Sequence, residues 1–420
     1  MSSENRHRLI IIGCGASGMA AAISAAVYEK DILILERNPV PGKKIPATGN
    51  GKCNFTNRNV LPGDLRSGSG NPYPFYERFD NRAVTAFFED LGVPVFEKNG
   101  YCYPHSGQAS SIRDALVNRL EELGIAVVYD CRVTAVSYED GLFRLKCGQI
   151  EYFCEKLIVA AGGEAQKCFG TDGSFYYILG KLGHSTVKPL PALVGLTSSY
   201  GHLAVLAGVR HEAQVSLLVD GDTVASEYGE IIFNKSGISG IPVMNQSRFA
   251  AEAIEKGQKI SISLDFFPDK GLNELADFLC GHFKSSTLPL ERCLTGVLND
   301  KLIGVILADC RVKGAFSDRS TDLSGIFNML ASRMKCFTLP VTGTAGFDNA
   351  QTTAGGIPLN ELDDVTLESL KCKGLYIVGE LADVDGKCGG YNLQWAWTSG
   401  VIAGAYAGGG EFDKSKLIKA

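Results

Sequence analysis

The chain has 420 residues, more than one compact core usually holds, so two or three domains are expected. With 45% hydrophobic residues, 21% charged residues and a formal net charge of -5, it reads as an ordinary globular protein without the basic excess of a nucleic-acid binder. No stretch approaches the roughly 18 apolar residues of a membrane-spanning helix. Thirteen cysteines occur without a CxxC pair, a zinc-spaced His pair or a secreted framework, which predicts reduced thiols, no metal and a cytoplasmic setting. Residues 1–8 are polar and the apolar run 9–13 is too short for a secretory signal. Glycine is the outlier, 49 of 420, about 12% where roughly 7% is usual. It concentrates at 13–18, 42–51, 162–173, 343–356 and 386–410, which suggests several loops lying close to a ligand.

Leu9-Ile10-Ile11-Ile12 is a continuous apolar run, the pattern of a strand buried on both faces. It leads into Gly13-Cys14-Gly15-Ala16-Ser17-Gly18 and a small-residue helix over 19–26. Ile32-Leu33-Ile34-Leu35 predicts a second buried strand, ending at Glu36. Gly13 permits the tight turn, Gly15 lets backbone approach a pyrophosphate, and Gly18 lets helix and strand pack closely. The helix N-terminus supplies free N–H groups and partial positive charge. Glu36 is suited to accept from ribose hydroxyls. The GxGxxG spacing alone fits any glycine-rich turn; strand, helix, second strand and terminal acid together predict a dinucleotide site. The motif leaves NAD and FAD open, and the carboxylate disfavours an NADP 2′-phosphate.

Arg37-Asn38-Pro39-Val40-Pro41-Gly42-Lys43-Lys44 leaves the strand, followed by Thr48-Gly49-Asn50-Gly51-Lys52-Cys53-Asn54. By itself this second segment is an exposed, turn-rich loop. Directly after the ribose acid, its donors are expected to reach phosphates and the polar edge of an isoalloxazine ring. Here the chain resembles the HI0933-like, or aminoacetone-oxidase-like, flavoproteins. The resemblance continues through Gly100-Tyr101-Cys102-Tyr103-Pro104-His105-Ser106, Gly237-Ile238-Ser239-Gly240-Ile241-Pro242, Thr342-Gly343-Thr344, Ala354-Gly355-Gly356 and the segment 379–404. It thus covers nearly the whole chain in order.

Residues 112–123 read as a helix and 125–129 as a strand. Val133 follows, in a region that in flavoproteins with two dinucleotide domains reaches back toward the adenine. Leu157-Ile158-Val159-Ala160-Ala161-Gly162-Gly163 is another buried strand whose small end lets a cofactor lie against backbone, or is plain sheet core. Pro189 and Pro191 mark a change of texture. Short alternating strands follow at 213–219, 223–228 and 260–264, with a hairpin signal at Asp220-Gly221-Asp222. A helix start with Pro near its first position lies at Ser239-Gly240-Ile241-Pro242, and helical sequence spans 272–331. Together with the resemblance, this implies an α/β fold: a Rossmann-type FAD-binding domain over 1–190 and 343–420, with an inserted β-barrel plus helical substrate domain over 191–342.

Near the C-terminus, residues 374–378 form a strand ending in Gly379-Glu380, followed by Asp383-Val384-Asp385-Gly386. Gly389-Gly390-Tyr391-Asn392-Leu393-Gln394 then opens a helix whose body, 395–407, is rich in small residues. The acid is suited to ribityl hydroxyls, and the helix N-terminus to negative charge at N1/O2 of a flavin. An NAD-only enzyme does not need this second segment, so the expected cofactor is FAD. A buried Gly/Ala-rich helix packed on a sheet accounts for the small residues alone.

No Ser-His-Asp spacing or metal cluster is visible, and Tyr103, His105, His202 and Tyr391 are the candidate proton donors. The resemblance implies an NAD(P)H-linked reductase of a C=C conjugated to a ketone, of the unsaturated 3-oxo bile-acid type, with the nicotinamide bound transiently. The expected partner is a small-molecule substrate, an acyl-CoA conjugate among the forms considered, and not a nucleic acid. An O2-dependent oxidase of a small amine such as aminoacetone is the second reading, and a non-catalytic flavin-binding partner the third.

Overall fold

A computed structural model describes residues 5–312 and 323–418; the predicted helical stretch over 272–331 therefore lies partly outside the described residues. The chain divides into two compact units, Met1–Pro191 with Ala350–Ala420, and Ala192–Asn349.

The first unit is built on a parallel sheet. Strand Arg6–Ile12 pairs on one side with Ile32–Leu35 and on the other with Ile150–Val159; Ala126–Val128 and Leu375–Ile377 extend the sheet at either side. Leu9 to Ile12 and Ile32 to Leu35 are buried without alternation because both sheet faces are covered. The first half of Ile150–Val159 also carries an antiparallel extension, Leu142–Cys147 and then Val133–Glu139.

Two helices pack on this sheet at unusually close range, the first helix (Ala16–Ala25) and the C-terminal helix (Tyr391–Ala407). Gly400, Gly404 and Gly408 form a stripe at four-residue spacing against Ser17, Ala21 and Ala25, also four apart. A Cβ at Gly400 would stand 2.5 Å from the Ser17 carbonyl oxygen, one at Gly404 2.2 Å from that of Ala21, and one at Gly408 2.7 Å from that of Ala25. Backbone therefore rests on backbone, which only small residues allow. The small-residue pattern of both helices is thus a packing code.

The second unit is a closed antiparallel barrel. Its strand order is Leu196–Ser198, Gly237–Ser239, Asp222–Asn234, Arg210–Val219, Ile260–Asp265 and Phe337–Thr344. Strict alternation along Ile260–Asp265 buries Ile260, Ile262 and Leu264. Asp220 and Gly221 take positive φ, 52° and 98°, and make the expected hairpin. Helices Ile241–Glu255, Leu272–Ser285, Asp300–Asp309 and Ser324–Lys335 accompany the barrel. The α/β class, the Rossmann-type sheet and the inserted barrel with helices follow the sequence reading.

Cys131 and Cys147 are placed side by side by the hairpin of the antiparallel extension, with their Cα atoms 5.9 Å apart, within the span of a disulfide. Their distance in sequence hid a pairing that the strand register creates. Among the described residues no helix is long and apolar enough to cross a membrane.

Gly404→Ala should destabilise the protein by about 1–3 kcal/mol, because the interhelical contact has no room for a methyl group. Gly281→Ala, in helix Leu272–Ser285 with nothing within 4 Å of the added carbon, should be neutral or stabilising by roughly 0.5–1 kcal/mol. Urea unfolding of the two variants checks the contrast.

Candidate cofactor site

A cleft of about 1360 Å³, its open mouth included, runs across the first unit. Its walls include Gly13, Gly15, Ala16, Ser17 and Glu36 from the start of the chain and Thr352, Val384, Asn392, Leu393 and Trp395 from near its C-terminus. The predicted ribose acid and the predicted flavin segment, more than three hundred residues apart in sequence, thus belong to one cavity.

The phosphate turn is shaped by close packing. Gly13 takes φ +98°, and a Cβ there would meet the Ala160 carbonyl oxygen at 2.4 Å. Gly18 does not face the cleft; its Cβ would lie 1.9 Å from the Gly13 carbonyl oxygen, so its role is to seat the helix on the turn. Gly15 has nothing within 4 Å of the corresponding position, which leaves its backbone open to a ligand. No side chain caps the first helix, so its leading N–H groups are available to an anion.

Glu36 is 5% exposed. Its Oε2 accepts the Cys14 N–H at 2.7 Å, and its Oε1 accepts both the backbone N–H and the side-chain amide of Asn38 at 2.7 Å. Oε1 is thereby filled, while Oε2 keeps capacity for a hydroxyl. The Asn38 amide also donates to the Phe169 carbonyl at 3.2 Å, which draws the loop 169–175 into the wall. In that loop Asp172 pairs with Arg37 at 2.9 Å and Arg132 at 2.8 Å. Burial raises the Asp172 carboxyl, but hydrogen bonds from Ser174 and Arg37 outweigh it and hold it at about 2.

Lys43 and Lys44 also line the cleft. Lys44 Nζ reaches Glu380 Oε2 at 3.0 Å, and Glu380 Oε1 accepts the backbone N–H and the hydroxyl of Thr353. The pair joins the loop after the second strand to the C-terminal segment, and the two remaining ammonium protons can serve a phosphate. Asn392 brackets Gly386 through both main-chain groups, at 2.9 and 3.0 Å, and so fixes the loop before the C-terminal helix. Gly379 donates its N–H to Ser399 and accepts from the Trp395 indole, each at 3.0 Å.

Of the predicted contacts, Gly13, Gly15, Ala16, Ser17, Glu36, Arg37, Lys43, Lys44 and Thr48 line the cleft, as do Val133, Ala160, Ala161, Gly162, Glu380, Asn392 and Leu393. Gly49, Asn50, Gly51, Cys53 and Asn54 are not in its walls. They form a turn closed by the Cys53 N–H on the Thr48 carbonyl at 3.0 Å, and burial pushes the Cys53 thiol up to about 12. The Asn54 side-chain amide oxygen Oδ1 is buried without a hydrogen-bond partner beside Gly390. Gly379, Asp385 and Gly390 also lie behind the wall rather than in it. Phe169, Gly170, Thr171, Asp172, Gly173 and Cys131 are wall residues that sequence reading missed; the glycine concentration at 162–173 was the available signal.

None of the four proton-donor candidates lines this cleft. Tyr103 is half-buried, with its phenol raised first by burial, and His105 is exposed. Tyr391 is buried and its hydroxyl points to the Asn59 carbonyl at 3.5 Å. His202 belongs to the barrel unit, 3.8 Å from Asp309.

The HI0933-like protein Rossmann domain matches residues 7–406. The chain belongs to the HI0933-like family. This family member is 36% identical over 409 residues to the 3-dehydro-bile acid delta(4,6)-reductase of Clostridium scindens, covering 96% of this chain and 99% of that protein. It is 30% identical over 410 residues to the ribosomal RNA dihydrouridine synthase of Escherichia coli, covering 94% and 96%. Among solved structures it is similar to a 3-ketosteroid-delta4-(5alpha)-dehydrogenase from Rhodococcus jostii RHA1, with 14% identity and a TM-score of 0.45, over 96% of this chain and 97% of that one. The HI0933-like chain is an FAD-dependent oxidoreductase. Its cleft fits that cofactor: an open glycine turn and an uncapped helix for the pyrophosphate, a buried carboxylate with spare capacity, and the first turn of a second helix in the same wall.

Glu36→Ala should weaken FAD binding by about 1.5–3 kcal/mol, the range for hydrogen bonds to a charged group. Flavin fluorescence titration of the apoprotein measures it, and unchanged affinity would count against the ribose role.

Proposed function

We propose that the protein is an FAD-dependent reductase that saturates a C=C conjugated to a carbonyl, with NAD(P)H as electron donor. The observation that carries this reading is the 36% identity, over almost the full length of both chains, to a delta(4,6)-reductase of 3-dehydro-bile acids. A 3-oxo group conjugated to the double bond makes its far carbon electrophilic, so an unsaturated 3-oxo bile acid or steroid-type acid is the favoured substrate, free or as an acyl-CoA conjugate. FAD, when bound, supplies the hydride chemistry, so the chain need not offer a nucleophile.

Within this reading, the glycine turn at 13–15 and the first helix hold the pyrophosphate, with Lys43 and Lys44 beside it, and Glu36 holds the ribose. With FAD bound, the N-terminus of the C-terminal helix would offer its partial positive charge to the electron-rich flavin. Asn392 keeps that helix start in place through Gly386. No second GxGxxG occurs, so a nicotinamide binds transiently rather than in a domain of its own.

A second substrate reading comes from the dihydrouridine synthases, at 30% and 28% identity. Uracil carries its ring C=C in conjugation with a carbonyl, so uridine in RNA shares the electrophile but not the shape. The net charge of -5 favours the small acid.

Anaerobic stopped-flow with NADH and with NADPH should bleach the bound flavin, and an unsaturated 3-oxo bile acid should then restore its absorbance. Reoxidation by a uridine-containing RNA alone transfers the assignment to the second substrate. Bleaching by aminoacetone but by neither nicotinamide, with steady peroxide in air, sinks the reductase reading in favour of an amine oxidase.

A further inference from the structure

One wall of the cofactor cleft carries chemistry that the reductase reading does not use. Cys131 is buried and lines the cleft with Arg132 and Val133. It stands beside Cys147, sixteen residues later, with the two Cα atoms 5.9 Å apart, a spacing that a disulfide spans. The Cys131 N–H donates to the Glu36 carbonyl at 2.9 Å, so this segment is a direct backbone neighbour of the ribose acid. Asp130, the preceding residue, holds φ at +53°, a left-handed conformation that side-chain-bearing residues adopt at a cost. Arg132, the following residue, clamps Asp172 of the 169–175 loop. Three parts of the cleft therefore meet at residues 130–132.

Cys147 ends the strand Leu142–Cys147 and stands opposite Val133 in the antiparallel register. It is half-buried, whereas Cys131 is buried. The pair thus has one residue in the cofactor wall and one partly exposed.

We propose that Cys131 and Cys147 form a reversible dithiol–disulfide pair that sets how firmly the chain retains FAD, with the disulfide form holding it more tightly. The proposal rests on the FAD assignment. The oxidant is a low-molecular-weight disulfide. The Cys147 thiolate attacks it and displaces one thiolate, leaving a mixed disulfide on Cys147. The Cys131 thiolate then attacks the Cys147 sulfur and displaces the second. Two protein thiols are oxidised, one small disulfide is reduced to two thiols, and the two protons pass to the displaced thiolates. The physical effect is pre-organisation. The cross-link holds residues 130–132 against the sheet before the cofactor arrives, so less disorder is lost on binding. In the dithiol form the strained turn at Asp130 is free to relax, and the Glu36 and Asp172 contacts loosen with it.

The test uses purified holoprotein equilibrated with oxidised glutathione or with dithiothreitol. Maleimide labelling and mass spectrometry count free thiols, and recovery of FAD fluorescence on dilution gives the release rate. The oxidised form should carry two fewer labelled thiols, mapped to Cys131 and Cys147, and should release FAD about threefold to tenfold more slowly. Cys147→Ser should release FAD at the reduced-form rate in both buffers. Equal thiol counts, equal release rates for the wild-type chain in the two buffers, or redox-dependent release in Cys147→Ser would each overturn the proposal. Protein isolated without flavin in both buffers, and taking up none when FAD is added, would instead overturn the cofactor assignment beneath it.

Discussion

The contact between the first helix and the C-terminal helix is the constraint on which the cofactor site depends. With Gly400, Gly404 and Gly408 on Ser17, Ala21 and Ala25, the backbones approach so closely that no side chain separates them. The start of the first helix and the start of the C-terminal helix both contribute to the walls of the cleft. Their separation is therefore set by helix packing on a shared sheet rather than by loops. Gly379 extends the same arrangement: a Cβ there would meet the Ser17 hydroxyl oxygen at 2.5 Å, and both of its main-chain groups are taken by the C-terminal helix. A widening at any of these points would move one end of the cofactor relative to the other.

A polar web holds the remaining walls. Glu36 orders Cys14 and Asn38, Asn38 reaches Phe169, Asp172 gathers Arg37 and Arg132, and Lys44 ties the early loop to Glu380. Each charged member has an opposite charge or several hydrogen bonds, which is the condition for keeping such groups in a partly buried cavity. These links come from five separate stretches of chain, so the site forms only with the whole first unit.

The parts of this arrangement that were legible in the sequence are those with local signatures. The strand–glycine–helix–strand run ending at Glu36 reads directly because every role in it sits within about thirty residues. The C-terminal helix reads from its Gly-Gly start, although the reason for its small residues, contact with the first helix, is a tertiary fact. The Thr48 to Asn54 loop shows the limit of composition: its donors suggested a ligand surface, yet only Thr48 reaches the cleft and the rest close a turn on themselves. The 169–175 loop was marked by its glycines but given no role, because its place over Glu36 depends on an Asn38 contact 131 residues away. The cysteine pair was invisible for a similar reason. Strand register brings Cys131 and Cys147 together, and spacing alone does not declare register.

The central claim is that one cavity spans from Glu36 to the start of the C-terminal helix and holds a single FAD. Mass spectrometry of the cofactor released by heat from the purified native chain, with quantitation against protein, tests it most directly. The account predicts intact FAD at about one per chain, since the two ends of the cleft match the adenine and isoalloxazine halves of one dinucleotide. Release of FMN, or of a nicotinamide dinucleotide in place of a flavin, would contradict it.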